Sequence, residues 1–341
     1  MKHSLSIGGA TYDLFVRTGR DVLHPSKDSH MLSLPLGSKI RVDDVIETCG
    51  GGASNTAVGL RRLGLASSFC GVVGSDQWGE RLLKNMQHEG VDTSSATVVE
   101  NETSSFSIIL SVTGSDRVIL YNVGTNTHLQ DSTFDREAAS KVDWMYLNHL
   151  HEESCMIQDD LINVLKNPHA PKLTWNPGGA QLSKGIADAE NAVLLKHTAL
   201  LLLNKEEALA FTHTETIEDA MTILLQAGTH TICVTDGKNG AYGANQKPKT
   251  KNQLTIVHCP TAPTTIVDTT GAGDAFGTGA TWALLHGFDL PTILRAGSIN
   301  AASVVAAFGA QAGLLTDTEM ITRLESMMHI QFSPRNSRDS R

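Results

Sequence analysis

The stretch Val267-Asp268-Thr269-Thr270-Gly271-Ala272-Gly273-Asp274-Ala275-Phe276 holds the residue types that phosphoryl transfer needs, in a workable order. Gly271, Ala272 and Gly273 have no bulk, so backbone N–H groups can face open space. The helix expected over 274–286 adds the positive end of its dipole. A loop of this kind cradles phosphate charge as it develops. Asp274, at the first turn of that helix, stands where a carboxylate can take the proton of an attacking hydroxyl. A helix N-cap asks for the same residue type; the Gly-x-Gly just before it, and Asp-Thr-Thr before that, favour catalysis. No Gly-Lys-Ser/Thr follows, so the loop is not a Walker A loop. The glycine spacing is not that of a dinucleotide fingerprint either.

Positioning such a loop takes a scaffold, and the chain supplies one. Short apolar runs over 4–8, 68–73, 144–147, 172–175, 199–203 and 231–235 read as strands. Amphipathic stretches over 54–63, 78–89, 217–226, 274–286 and 291–307 read as helices. Their alternation predicts βα units on a mostly parallel sheet. Two stretches break it. Residues 14–47 are strand-like but polar. Residues 104–122 alternate like a half-exposed hairpin around a turn at 113–116. They predict a small sheet that projects from the main domain and covers a site or pairs with another copy; decorative edge strands are the other reading.

With 341 residues, 40% of them apolar, one large domain can bury its own core. The net charge of −9 argues against nonspecific nucleic-acid binding. It does not exclude an anionic ligand held by backbone amides. Five scattered cysteines, Cys49, Cys70, Cys155, Cys233 and Cys259, form no C-x-x-C pair and suit a reducing cytoplasm. The polar start reads as no secretory signal, and no apolar run approaches the ~20 residues of a membrane span. The tail over 331–341 is expected to be disordered.

The loop closely resembles the C-terminal signature of the ribokinase-like (PfkB) carbohydrate kinase family. Gly50-Gly51-Gly52-Ala53-Ser54-Asn55, then Leu63-Gly64 and Gly71-Val72-Val73-Gly74-Ser75-Asp76, resembles its N-terminal signature. The likeness spans about 4–315. It implies a three-layer αβα domain over 1–330, with a mostly parallel sheet and a β-sheet lid from about 14–47 and 104–122. It implies ATP, Mg²⁺ and a homodimer through the lid. Asp274 then resembles the catalytic base, and Gly271, Ala272 and Gly273 the anion hole. Asp13 resembles a substrate carboxylate at the end of the first strand, Gly50 and Gly51 the pair that admits the substrate ring, and Asn55 a substrate-contacting amide. Asn204 and Glu207 resemble the Asn-x-x-Glu motif near phosphates and Mg²⁺, often through water. Thr235, Gly237 and Gly240 resemble the turn touching nucleotide phosphates, and Asn300 an adenine-side residue. Asp268 and Thr270, with the 308–310 region, resemble a carbonyl-rich site for a monovalent cation such as K⁺. Each has a plainer reading as a turn, a cap or a solvent-facing side chain.

The substrate is less legible. Ribokinases usually read Gly-Gly-Lys-Gly-Ala-Asn-Gln where this chain has Gly50-Gly51-Gly52-Ala53-Ser54-Asn55-Thr56. A phosphorylated sugar would want a cation, for which Lys39 and Arg41 are candidates. A nucleoside would want an aromatic, for which Phe106 and Tyr12 are. The expectation is a sugar kinase, with a nucleoside kinase and a catalytically silent binding protein as alternatives. His149 and His151, which flank Leu150 after a strand, are read as ordinary histidines.

Overall fold

In the computed structural model the described residues are 1–18, 23–25, 30–32, 34, 36–112, 117–130, 134–150, 156–246, 255–326 and 333–335. Nine strands make one sheet, in the order Ser333–Arg335, Ile256–Cys259, Ala241–Asn245, Thr231–Thr235, Thr198–Asn204, Lys172–Trp175, Trp144–Leu147, His3–Ile7 and Ala66–Cys70. Every neighbouring pair from Thr231–Thr235 to Ala66–Cys70 is parallel, and the remaining pairs are antiparallel. Successive side chains of a strand point to opposite faces. Leu201 and Leu203 accordingly enter one core with Trp175, Phe211 and Met221. Leu200 and Leu202 enter the other with Phe276, Trp282 and Ile299. Burial on both faces is why residues 200–203 read as an unbroken apolar run rather than an alternating one. The result is the expected three-layer αβα arrangement.

A separate four-stranded sheet follows the order Arg117–Asn122, Phe106–Val112, Thr11–Thr18 and Asp44–Gly50. This is the expected lid, with shifted boundaries. It begins at Thr11, directly after the turn Gly8-Gly9-Ala10, and returns at Gly50. Asp13 is therefore a lid residue, not the end of the first main strand. Much of 19–35 and the turn at 113–116 lie outside the described residues, as do His151 and Cys155.

Two further expectations are corrected. The single strand over 68–73 is two: Ala66–Cys70 in the main sheet, and Val72–Gly74, which pairs with Thr97–Val99. Gly71 makes the break, because a Cβ there would run into the Gly8 carbonyl and the Phe69 ring. The tail is not wholly irregular: Ser333–Arg335 adds an antiparallel edge strand on Ile256–Cys259. The other residues of 331–341 lie outside the described ones.

Candidate active site

The parallel strands all deliver their carboxyl ends to one side of the sheet, where a crevice forms in open α/β folds. The helix Ala272–Leu285 starts there, with Gly271 as N-cap at φ 75°. A side chain on Gly271 would meet the Ala310 Cα at 2.7 Å, so the 308–310 turn packs on it. Gly273 differs: a Cβ there would meet nothing within 4 Å. Its bareness leaves room for a ligand rather than relieving a clash; of the amides expected to hold an anion, that of Ala272 already donates to Thr269 O at 3.3 Å.

Asp274 sits in that first turn. Its Oδ2 accepts a hydrogen bond from Asn55 Nδ2 at 2.8 Å. Asn55 Oδ1 accepts from Gln311 Nε2 at 3.1 Å, and Gln311 Oε1 from Asn85 Nδ2 at 2.8 Å. This relay fixes the amide's orientation, with its NH₂ facing the carboxylate. Surrounding protein pushes the Asp274 pKa up to about 6, and the Asn55 bond pulls against that rise. Asn55, expected on the substrate, thus holds Asp274 in this structure.

Asp13 projects from the lid strand Thr11–Thr18 and is 6% exposed. Burial pushes its pKa up to about 7. A hydrogen bond from Ser107 lowers it, and the negative charge of Asp268 raises it. A side chain on Gly50 would collide with the Asp13 carboxylate. Gly51 has φ 90°, and a Cβ there would lie 2.6 Å from Ala10 Cα and from Thr11 N. The glycine pair thus lets the helix Gly52–Arg62 start beside the base of the lid.

Two buried amides join this side that sequence reasoning did not single out. Asn148 Nδ2 donates to Thr56 Oγ1 at 3.0 Å, and Asn126 Nδ2 to Thr11 Oγ1 at 3.5 Å. Their Oδ1 atoms are buried without partners among the described residues. A buried acceptor without a donor suits a ligand hydroxyl. Asn148 follows the strand end Leu147, a position that signals a site in such folds; Asn126 lies in a 3₁₀ segment and carried no signal. Lys39 and Arg41 are exposed, while the lid's Arg117 reaches the loop, donating to Thr269 Oγ1 at 3.0 Å. The exposed His149 packs its ring where a Gly178 side chain would go.

On the other side of Gly273 a cavity of about 460 Å³ is lined by Thr235, Gly237, Gly240, Ala272, Gly273, Phe276, Ala301 and Ala302, among others. It gathers the expected phosphate turn and the anion loop around a largely apolar space. Asn300 is not part of it. Its Nδ2 donates to Ala275 O at 2.8 Å and Thr278 Oγ1 at 3.0 Å, and its Oδ1 accepts from Leu315 N at 3.1 Å. Fully buried and saturated, Asn300 ties two helices and a loop together, and Ser298, Ala301 and Ala302 face the cavity instead.

Asn204 and Glu207 form a reciprocal capping box at the helix Lys205–Thr212, each side-chain oxygen accepting the other's N–H at 2.8 Å. The box uses only one Glu207 oxygen, and burial raises that carboxyl's pKa. No cluster of three or more His, Cys, Asp or Glu side chains with metal-holding geometry occurs among the described residues.

Residues 15–317 match the family described as pfkB family carbohydrate kinase. An uncharacterized sugar kinase of Archaeoglobus fulgidus is 30% identical over 259 residues, 75% of this chain and 98% of that protein. The ribokinase of Haemophilus influenzae is 26% identical over 89% of this chain and 97% of its own. Among solved structures, the Arabidopsis thaliana ribokinase complexed with ribose and ATP superposes at a TM-score of 0.76. It is 21% identical and covers 95% of this chain and 98% of its own, a likeness of fold.

Proposed function

This chain belongs to the pfkB family of carbohydrate kinases, ATP-dependent phosphotransferases, and on that premise we propose how its own residues act and what they act on. The acceptor is a small sugar or sugar derivative with adjacent hydroxyls, held between lid and sheet. Asp13, Asn126 and Asn148 accept its hydroxyl hydrogens. Asp274 takes the proton of the attacking hydroxyl. The oxygen forms a bond to the γ-phosphorus of ATP as the bond to the ADP oxygen breaks; the amides of Gly271 and Gly273 face the charge that accumulates, and that of Ala272 joins them by leaving Thr269 O. The apolar cavity takes the nucleoside part of ATP, with Thr235, Gly237 and Gly240 on its phosphate side. Mg²⁺ would ride on the phosphates, with the spare Glu207 oxygen within its water shell, and would neutralise the oxygens in transfer.

The observation that carries this reading is Asp274 beside the open face of Gly273. A carboxylate with its pKa lifted to about 6, next to bare amides, suits a base more than a cap. A nucleoside acceptor is the second reading. On the Asp13 face of the lid, Ile119 and Tyr121 are 49% and 47% exposed, a surface on which a flat base could lie. The opposite lid face exposes Val45, Val118 and Leu120. That apolar row supports a homodimer through the lid. The described cysteines are free thiols, which fits a cytoplasmic setting, and no helix among the described residues is long and apolar enough to cross a membrane.

The test is ADP release with ATP and Mg²⁺ against pentoses, hexoses, sugar acids and nucleosides. Turnover on a sugar class is expected. Turnover on nucleosides alone moves the assignment to the second reading. Nucleotide binding without turnover on any class means a silent binding protein.

A further inference from the structure

The family resemblance places a monovalent cation at Asp268, Thr270 and the 308–310 region. The side chains there do not fit that expectation, and the misfit is informative. Asp268 is 7% exposed, a carboxylate with little water to solvate it. Its Oδ1 accepts from Thr270 N at 3.1 Å and from Thr270 Oγ1 at 2.9 Å. Its Oδ2 accepts from Gly309 N at 3.1 Å. These bonds tie the turn before the anion loop to the turn that packs on Gly271. Neutral donors orient a carboxylate but leave its charge uncompensated, and a buried uncompensated charge is costly.

The compensating charge comes from the lid. Arg117 Nη1 lies 3.5 Å from Asp268 Oδ1 and donates to Thr269 Oγ1 at 3.0 Å. Thr269 also lines the nucleotide cavity, so the guanidinium stands at its rim. We propose that Arg117 supplies Asp268 with the positive charge that a monovalent cation would otherwise bring, so that this kinase needs no K⁺. A guanidinium keeps its charge at any working pH, and a second cation here would repel it. Because Arg117 belongs to the lid strand Arg117–Asn122, compensation depends on where the lid stands. A closed lid completes the anion loop, making Arg117 a positioning residue for transfer. The lid's Arg17 lies over the Phe308 ring, 5.1 Å from its centroid, beside the same turn, and serves as the control for a nearby cation that does not reach Asp268.

The proposal rests on the kinase reading, and its test has an arm that does not. Initial rates and melting temperatures are compared in KCl and in tetramethylammonium chloride at equal ionic strength. The wild-type rate should differ less than about twofold between the salts. Arg117→Met should lose about tenfold in tetramethylammonium and regain most of it in K⁺. Arg117→Lys, which keeps a charge, and Arg17→Met should gain no K⁺ dependence. In melting, K⁺ should stabilise Arg117→Met and leave the wild type unmoved. That arm decides the matter even if no acceptor is turned over. The proposal is overturned if K⁺ raises the wild-type rate about tenfold or its melting temperature clearly. It is also overturned if folded Arg117→Met shows no K⁺ response in either readout, or if Arg17→Met responds as strongly. Should Arg117→Met not fold in either salt, Arg117→Gln takes its place, with a gained K⁺ response upholding the proposal and none overturning it.

Discussion

The two sides of Gly273 are built on opposite principles. The acceptor side is polar and charged: Asp13, Asn126 and Asn148 are buried, and Asp274 is held by Asn55. The side proposed for the nucleotide is a cavity of backbone and mostly apolar side chains with one aromatic ring and Lys238. A site that must choose among hydroxyl patterns invests in buried acceptors, because a missing partner there is expensive. A site that takes the same nucleotide in every turnover needs mainly shape.

Substitutions on the two sides should therefore fail differently. Asp274→Asn should lower kcat by about 10³-fold with little change in nucleotide affinity, seen in steady-state rates beside ATP titration; an effect within about tenfold would remove Asp274 as the base. Asp13→Asn should cost about 10²-fold in kcat/KM for the acceptor and leave the KM for ATP nearly unchanged. Ala302→Leu fills the apolar cavity and should do the reverse, raising the KM for ATP on the order of tenfold while the acceptor KM holds.

The pH profile separates the sides again. A base works as the carboxylate, so a raised pKa means loss of activity as pH falls through it. The profile of kcat/KM should drop through about 7 and about 6, the values of Asp13 and Asp274 in the free enzyme. Asn55→Ala removes the bond that holds Asp274 down, so its limb should move to higher pH, costing a few-fold in rate near pH 6. The smallest kinetic effect is expected at Asn300. Asn300→Ala should leave the KM for ATP unchanged yet cost about 2 kcal/mol in denaturant unfolding, because its partners stay buried without it.

How much of this was legible follows the same division. Asp13, Gly50, Gly51 and Asp274 stand out in the sequence as particular residue types in fixed order, and the roles of the two aspartates are what the substitutions above test. Backbone also explains the strands, since burial on both faces wrote 200–203 as a continuous run. Of the cavity beyond Gly273, Thr235, Gly237 and Gly240 stood out as a turn, but the apolar wall left no trace, since Ala301 and Ala302 line it by being small. Asn300 resembles an adenine-side residue, but its polarity serves three internal bonds. Arg117 was invisible because the fold brings it to Asp268 from 151 positions away in the chain. The lid boundaries slipped by a few residues because Gly8-Gly9-Ala10 passes from one sheet to the next with hardly a loop.

The short strand Ser333–Arg335 has a significance beyond its three residues. It occupies the flank of Ile256–Cys259, whose amides and carbonyls would otherwise form the margin of the nine-stranded sheet. A bare margin invites strands from other molecules, and proline is among the residues that discourage such stacking. Pro334 sits in the middle of this flank, unable to offer an N–H to a newcomer. The outermost strand of the sheet thus carries, at its middle, a residue with no hydrogen to give to a further strand.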